Sequence, residues 1–168
     1  MKLDSLWLCT MLLGIWTIAS ATPNCEGQAM TSPPYTIKTT IRPEKLHAGA
    51  PIELEIVLTN ESSTTARIGQ RSQVFDWQYE LTREDRAPVQ MTRYGEEGRR
   101  SAEGGAPGAV LLTLAPGQQL KAQIPLHQVF DLSAAGRYQL TVFRSLPAPG
   151  DGAWIEIRSK PMEFTLLD

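Results

Sequence analysis

Two histidines and two cysteines are all that this chain of 168 residues offers as soft metal ligands and thiol chemistry. Cys9 falls inside an N-terminal apolar run, so once that run is removed only Cys25 remains. One cysteine cannot close an internal bridge, which excludes a disulfide-built secreted miniprotein and leaves the hydrophobic core to hold the fold. Charge of one sign is also lacking: 16 Lys and Arg stand against 18 Asp and Glu, a formal net charge of −2. Without a cationic stripe there is no surface to displace phosphate counterions, so nucleic acid is not an expected partner. Nor is there a polybasic patch for anionic lipid. Beyond the first 21 residues no apolar run approaches the ~18 residues of a transmembrane helix, so no membrane span is expected there.

Catalytic signatures are equally scarce. His47 and His127 lie about eighty residues apart, and no His-Glu-x-x-His pair on one helix face brings zinc ligands together. No Gly-x-Ser-x-Gly turn exposes a serine nucleophile. The glycines between Gly98 and Gly108 lack the Gly-Lys-Ser/Thr ending of a phosphate loop. Cys25 has no neighbouring base to favour its thiolate. Glu53 and Glu55 fall on the wet side of a strand, Glu96 and Glu97 in a polar loop, and Asp131 or Asp151 has no string of oxygen ligands for calcium. His127 and Asp131 could share a hydrogen bond of structural kind. The expectation is a non-enzyme with no metal or other cofactor.

The amino terminus is the first positive signal. Lys2, offset by Asp4, precedes an apolar run from Leu6 to Ala19 that ends in Ala19-Ser20-Ala21, the small-x-small pattern of a signal-peptidase site. As a helix those fourteen residues would span about 21 Å, short of the ~30 Å hydrocarbon core. Residues 1–21 therefore read as a cleaved export signal, with a periplasmic or secreted destination. Thr22-Pro23-Asn24-Cys25 is not a lipobox, so a lipid anchor at Cys25 is the minor alternative. Residues 22–34, with Pro23, Pro33 and Pro34, read as a flexible leader. Cys25 in it is a free thiol or the link of a disulfide dimer of an otherwise monomeric chain.

From Tyr35 a period of two dominates, the mark of strands with one dry and one wet face. Tyr35, Ile37, Thr39 and Ile41 alternate up to Pro43; Ile52, Leu54, Ile56 and Leu58 alternate after the Gly49–Pro51 turn. Trp77, Tyr79 and Leu81 head a hairpin over residues 77–92, whose second arm contains Pro88 and belongs at an edge. Residues 93–108 show no apolar periodicity and read as a long loop. Strands resume at Val110–Leu114 and, past a type II turn at Pro116-Gly117, at Leu120, Ala122 and Ile124. One helical turn fits within residues 127–133. Tyr138, Leu140 and Val142 mark the next strand, residues 145–152 a Pro/Gly-rich loop, and residues 153–158 and 162–167 the last two strands. The expected fold is an all-β, immunoglobulin-like antiparallel β-sandwich of about eight strands over residues 35–168.

Three stretches carry a resemblance. His47-Ala48-Gly49-Ala50-Pro51 leading into a strand that ends Leu58-Thr59-Asn60, then Leu114-Ala115-Pro116-Gly117-Gln118, then Asp131 to Tyr138, are similar to turns of exported bacterial immunoglobulin-like domains. The chain also resembles the sandwich of BsuPI-type proteinase inhibitors and the non-catalytic N-terminal domain of some secreted metallopeptidases. In that frame Asn60 satisfies its own connection, Gly136 turns the chain, and the Tyr138 hydroxyl caps a nearby loop. If the source is bacterial, the Asn60-Glu61-Ser62 sequon is a chance match.

Function then falls to the loops. Tyr94, Arg99 and Arg100 in loop 93–108, and Trp154 at the exit of the second loop, are the residue types that dominate binding hot spots. They point to a protein-interaction module of the cell envelope whose partner is a protein or an envelope polymer. The alternative implied by the BsuPI resemblance is a proteinase inhibitor presenting Arg99-Arg100 from the same loop.

Overall fold

The strongest alternation in the sequence builds the centre of one sheet. Strand β1 (Tyr35–Arg42) lies antiparallel to β2 (Glu53–Asn60), whose other side pairs with β6 (Gln119–Pro125). Ile52, Leu54, Ile56 and Leu58 are completely buried along this line. Each such side chain removed from water contributes about 1.5–3 kcal/mol. The computed structural model describes residues 33–103, 108–149 and 152–168. The proposed signal, most of the leader, Cys25 and Asp151 lie outside the described residues.

A second sheet is organised by β7 (Gly136–Pro147), which packs Tyr138, Leu140, Val142 and Leu146 inward. One side of β7 pairs with β4 (Gln78–Arg83). The other side pairs with two strands in succession, β9 (Met162–Leu166) against its first half and β8 (Trp154–Arg158) against its second. Ser159 bridges the break between them: its N–H donates to the Val142 carbonyl at 2.8 Å, and its hydroxyl accepts from the Val142 N–H at 3.0 Å. A two-stranded ribbon, β3 (Ala66–Gln70) with β5 (Val110–Leu114), completes nine strands among the described residues. All the named pairs are antiparallel, and the architecture is an all-β sandwich consistent with an immunoglobulin-like domain.

Turn chemistry follows the sequence. Gly117 takes φ 73° and Gln118 N–H donates to Ala115 O at 3.0 Å, the type II turn. The Tyr138 hydroxyl donates to Ala134 O at 2.6 Å. The Asn60 amide donates to Thr64 O and Leu114 O, both at 2.9 Å, while its oxygen accepts from Ser62 N–H at 3.1 Å. An asparagine so enclosed offers no glycosylation site.

Four expectations need correction. Residues 93–103 are not a loop but helix α1 (Arg93–Glu103). The hairpin after β4 is shorter than residues 77–92: Pro88 bridges Thr82 antiparallel, Arg83 N–H reaches Ala87 O and Val89 N–H reaches Leu81 O, after which the chain bends away. Strand β3 was hidden because only Ala66 and Ile68 mark its dry face. Strand β7 runs on to Pro147, taking the first residues of the expected second loop. The single helical turn is α2 (Leu126–Val129). Among the described residues no helix is long and apolar enough to cross a membrane.

Candidate functional site

Helix α1 is anchored at its start by Thr92. The Thr92 hydroxyl accepts from Gly95 N–H at 3.1 Å, an N-cap bond, and donates to the Gln128 carbonyl, while Thr92 N–H donates to Val129 O at 3.0 Å. The face turned to the sandwich is made of Gly95, Gly98 and Ala102, spaced three and four apart. A Cβ at Gly95 would stand 2.3 Å from the Val129 oxygen, and one at Gly98 would stand 1.9 Å from the Phe75 ring. Glycine is therefore required at 95, where the clash is with backbone, while at 98 it leaves room for the Phe75 ring.

Under α1 opens a recess of about 450 Å³. Its walls include Phe75, Trp77, Tyr79, Met91 and Phe143, with Arg71, Arg99 and Glu103 also contributing. Tyr94 rests on Phe75, ring centroids 5.3 Å apart, and remains 46% exposed. Arg71 fastens the far end of the helix by donating to Ala102 O at 3.3 Å. Burial raises the Tyr79 phenol well above its ordinary pKa, so it stays a neutral donor, here to Val74 O at 2.6 Å.

Behind the recess sits a buried ion pair. Arg144 donates to Gly69 O at 2.7 Å and to the Asp76 carboxylate at 3.4 Å, and its guanidinium lies over the Trp77 ring at 5.0 Å. Burial lowers the Arg144 pKa, with Asp76 and Tyr79 opposing the shift; the group remains a cation at neutral pH. Asp76 also accepts from Arg71 N–H at 2.8 Å. Arg71 and Asp76 line, in addition, a smaller recess of about 180 Å³ bordered by Ala109, Pro147 and Trp154.

Tyr94 and Arg99 thus belong to one surface. Arg99 pairs with Glu103 at 3.9 Å, and Arg100 is exposed on the same helix. Trp154, 73% exposed, stands at the adjoining recess rather than beside α1. His127 does not meet Asp131: its Nδ1 lies 3.1 Å from the Ile52 backbone, whereas Asp131 accepts from Ser133 N–H at 3.1 Å. Hydrogen bonds from Ser133 hold the Asp131 carboxyl below its usual range. Sequence reasoning missed Arg71, Phe75, Met91 and Phe143; the signal for the first two was the Ser72–Asp76 turn, left outside any strand. Among the described residues no group of three or more His, Cys, Asp or Glu could hold a metal. Aromatic faces, guanidinium groups and a carboxylate equip the recess for burial and charge-assisted hydrogen bonding. No protein-family model matches the chain, and no curated protein is significantly similar to it.

Proposed function

We propose that this is an exported, non-catalytic sandwich domain that binds a partner protein of the cell envelope through the α1 face. The observation that carries the reading is the recess under α1, where aromatic and methionine walls adjoin arginines. That is the composition in which binding energy concentrates. The occupant that fits is a polypeptide segment bringing an apolar side chain into the recess and an acidic one to Arg99 or Arg100. Export is supported by the basic, apolar and small-residue pattern of residues 1–21.

The likeness to BsuPI-type inhibitors supports the same scaffold, but a proteinase reads its inhibitor as an extended segment. Arg99 and Arg100 stand in a helix, so the interaction module is the preferred reading. A photo-crosslinking residue placed at position 94 or 100 in the full chain, in cells, tests it. Discrete adducts at these positions and none at Lys121, on β6 of the first sheet, are expected. Absence of adducts at both, or equal labelling at Lys121, would overturn the reading.

A further inference from the structure

Sheet edges are normally protected by charge, proline or a covering segment, because their free N–H and C=O groups recruit further strands. Most edges here follow that rule: β1 carries Lys38 and Arg42, β6 carries Lys121, and β4 is crossed by residues 87–89. Strand β5, Val-Leu-Leu-Thr-Leu, is different. Among the nine described strands it is the one without a charged residue, and it pairs only with β3. Val110 and Leu111 are each 62% exposed, and Leu111 lies opposite Gly69, which has no side chain to cover it.

We propose that the open edge of β5 pairs antiparallel with β5 of a second copy of this chain, forming a two-fold dimer with a continuous β3-β5-β5-β3 sheet. An extended strand is the partner that matches the unpaired edge of β5, save at Leu114, whose carbonyl already accepts from the Asn60 amide. Its side chains call for an uncharged strand, since a charged one would be stripped of water without a counter-ion. Of the strands in this chain, β5 itself has both a free edge and no charge, so two copies are matched occupants. Antiparallel pairing about Leu112 sets Val110 against Leu114 and Leu111 against Thr113 with no like charges opposed, and the two-fold axis closes the assembly. Five residues extend only about 17 Å, so the edge alone falls short of the ~800 Å² per partner of a stable complex. The dimer is accordingly weak and concentration-dependent.

The test is sedimentation equilibrium of the exported chain under reducing conditions, from low micromolar to millimolar, independent of any envelope partner. A concentration-dependent monomer–dimer equilibrium is expected, abolished by Leu111→Lys with an unchanged circular dichroism spectrum. In a Cys25→Ser background, Leu112→Cys should oxidise to a covalent dimer, since residue 112 faces itself within disulfide reach. Leu111→Cys should not, its own copy being about 8 Å away. A monomer throughout, a dimer that survives Leu111→Lys, or equal crosslinking of the two cysteine variants would overturn the proposal.

Discussion

Asn60 is wholly buried and uses both ends of its amide to tie its own connection, at Ser62 and Thr64, to Leu114. Asn60→Ala leaves the Leu114 carbonyl without that donor, and a buried group left unsatisfied costs about 1–3 kcal/mol; urea unfolding should read a loss of at least that size. Arg144 and Asp76 form a pair whose side chains are 5% and 11% exposed. Arg144→Met strands the carboxylate, and breaking such a pair costs about 3–5 kcal/mol. The double change with Asp76→Leu should recover part of the loss, which a double-mutant cycle measures. Glu80 is exposed, and the hydrogen bond from Arg158 lowers its pKa below the usual 4.5. A carboxyl depressed in the folded state binds fewer protons there than in the unfolded chain, so its contribution is full above the unfolded pKa and fades as pH falls through the folded one. Thermal unfolding of wild type and Glu80→Gln should therefore differ at pH 6 and converge in strong acid. Tyr138 and the Asn60 bonds to Ser62 and Thr64 were legible because they are local turn chemistry, whereas the Asn60 bond to Leu114, 54 positions away, was not. Arg144 and Asp76 were not, being 68 positions apart.

Helix α1 shows how an element escapes a reading based on apolar period. Its dry stripe exists at the helical spacing but is built of Gly95, Gly98 and Ala102, which carry no hydropathy signal. Thr92 at the cap, Glu96 in the first turn and the Arg93–Glu97 and Arg99–Glu103 pairs were the cues available. Both glycines cost helix propensity, about 1 kcal/mol each, and the close packing they permit offsets it. Gly95→Ala would drive a methyl into the Val129 backbone, an overpacking cost of about 1–3 kcal/mol. It should lower protection of α1 amides and weaken partner binding. Gly98→Ala meets a ring that can swing, so its effect should be smaller. Thr92→Ala removes the cap at a cost of about 1 kcal/mol. Comparing the three by chemical denaturation orders them. Strand β3 escaped for the opposite reason, since five residues with Gly69 inside give the alternation too few points.

At the scale of the whole molecule, the period of two in β1, β2, β6 and β7 was enough for an all-β sandwich, because one dry face per strand leaves two sheets little choice but to stack. Pairing was less accessible. Nothing in residues 77–92 says that β4 takes β7 along its whole length and the segment following it only over residues 87–89, since both partners offer similar alternation. The same gap hid the recess, whose walls come from four separate stretches of chain. Everything proposed for binding requires α1 to be a held element that presents Tyr94 and Arg99 without an ordering cost. Amide hydrogen exchange across residues 96–102 of the full chain measures this most directly. The account predicts protection well above random-coil rates, diminished by Gly95→Ala. Exchange at unprotected rates in the wild-type protein would contradict it.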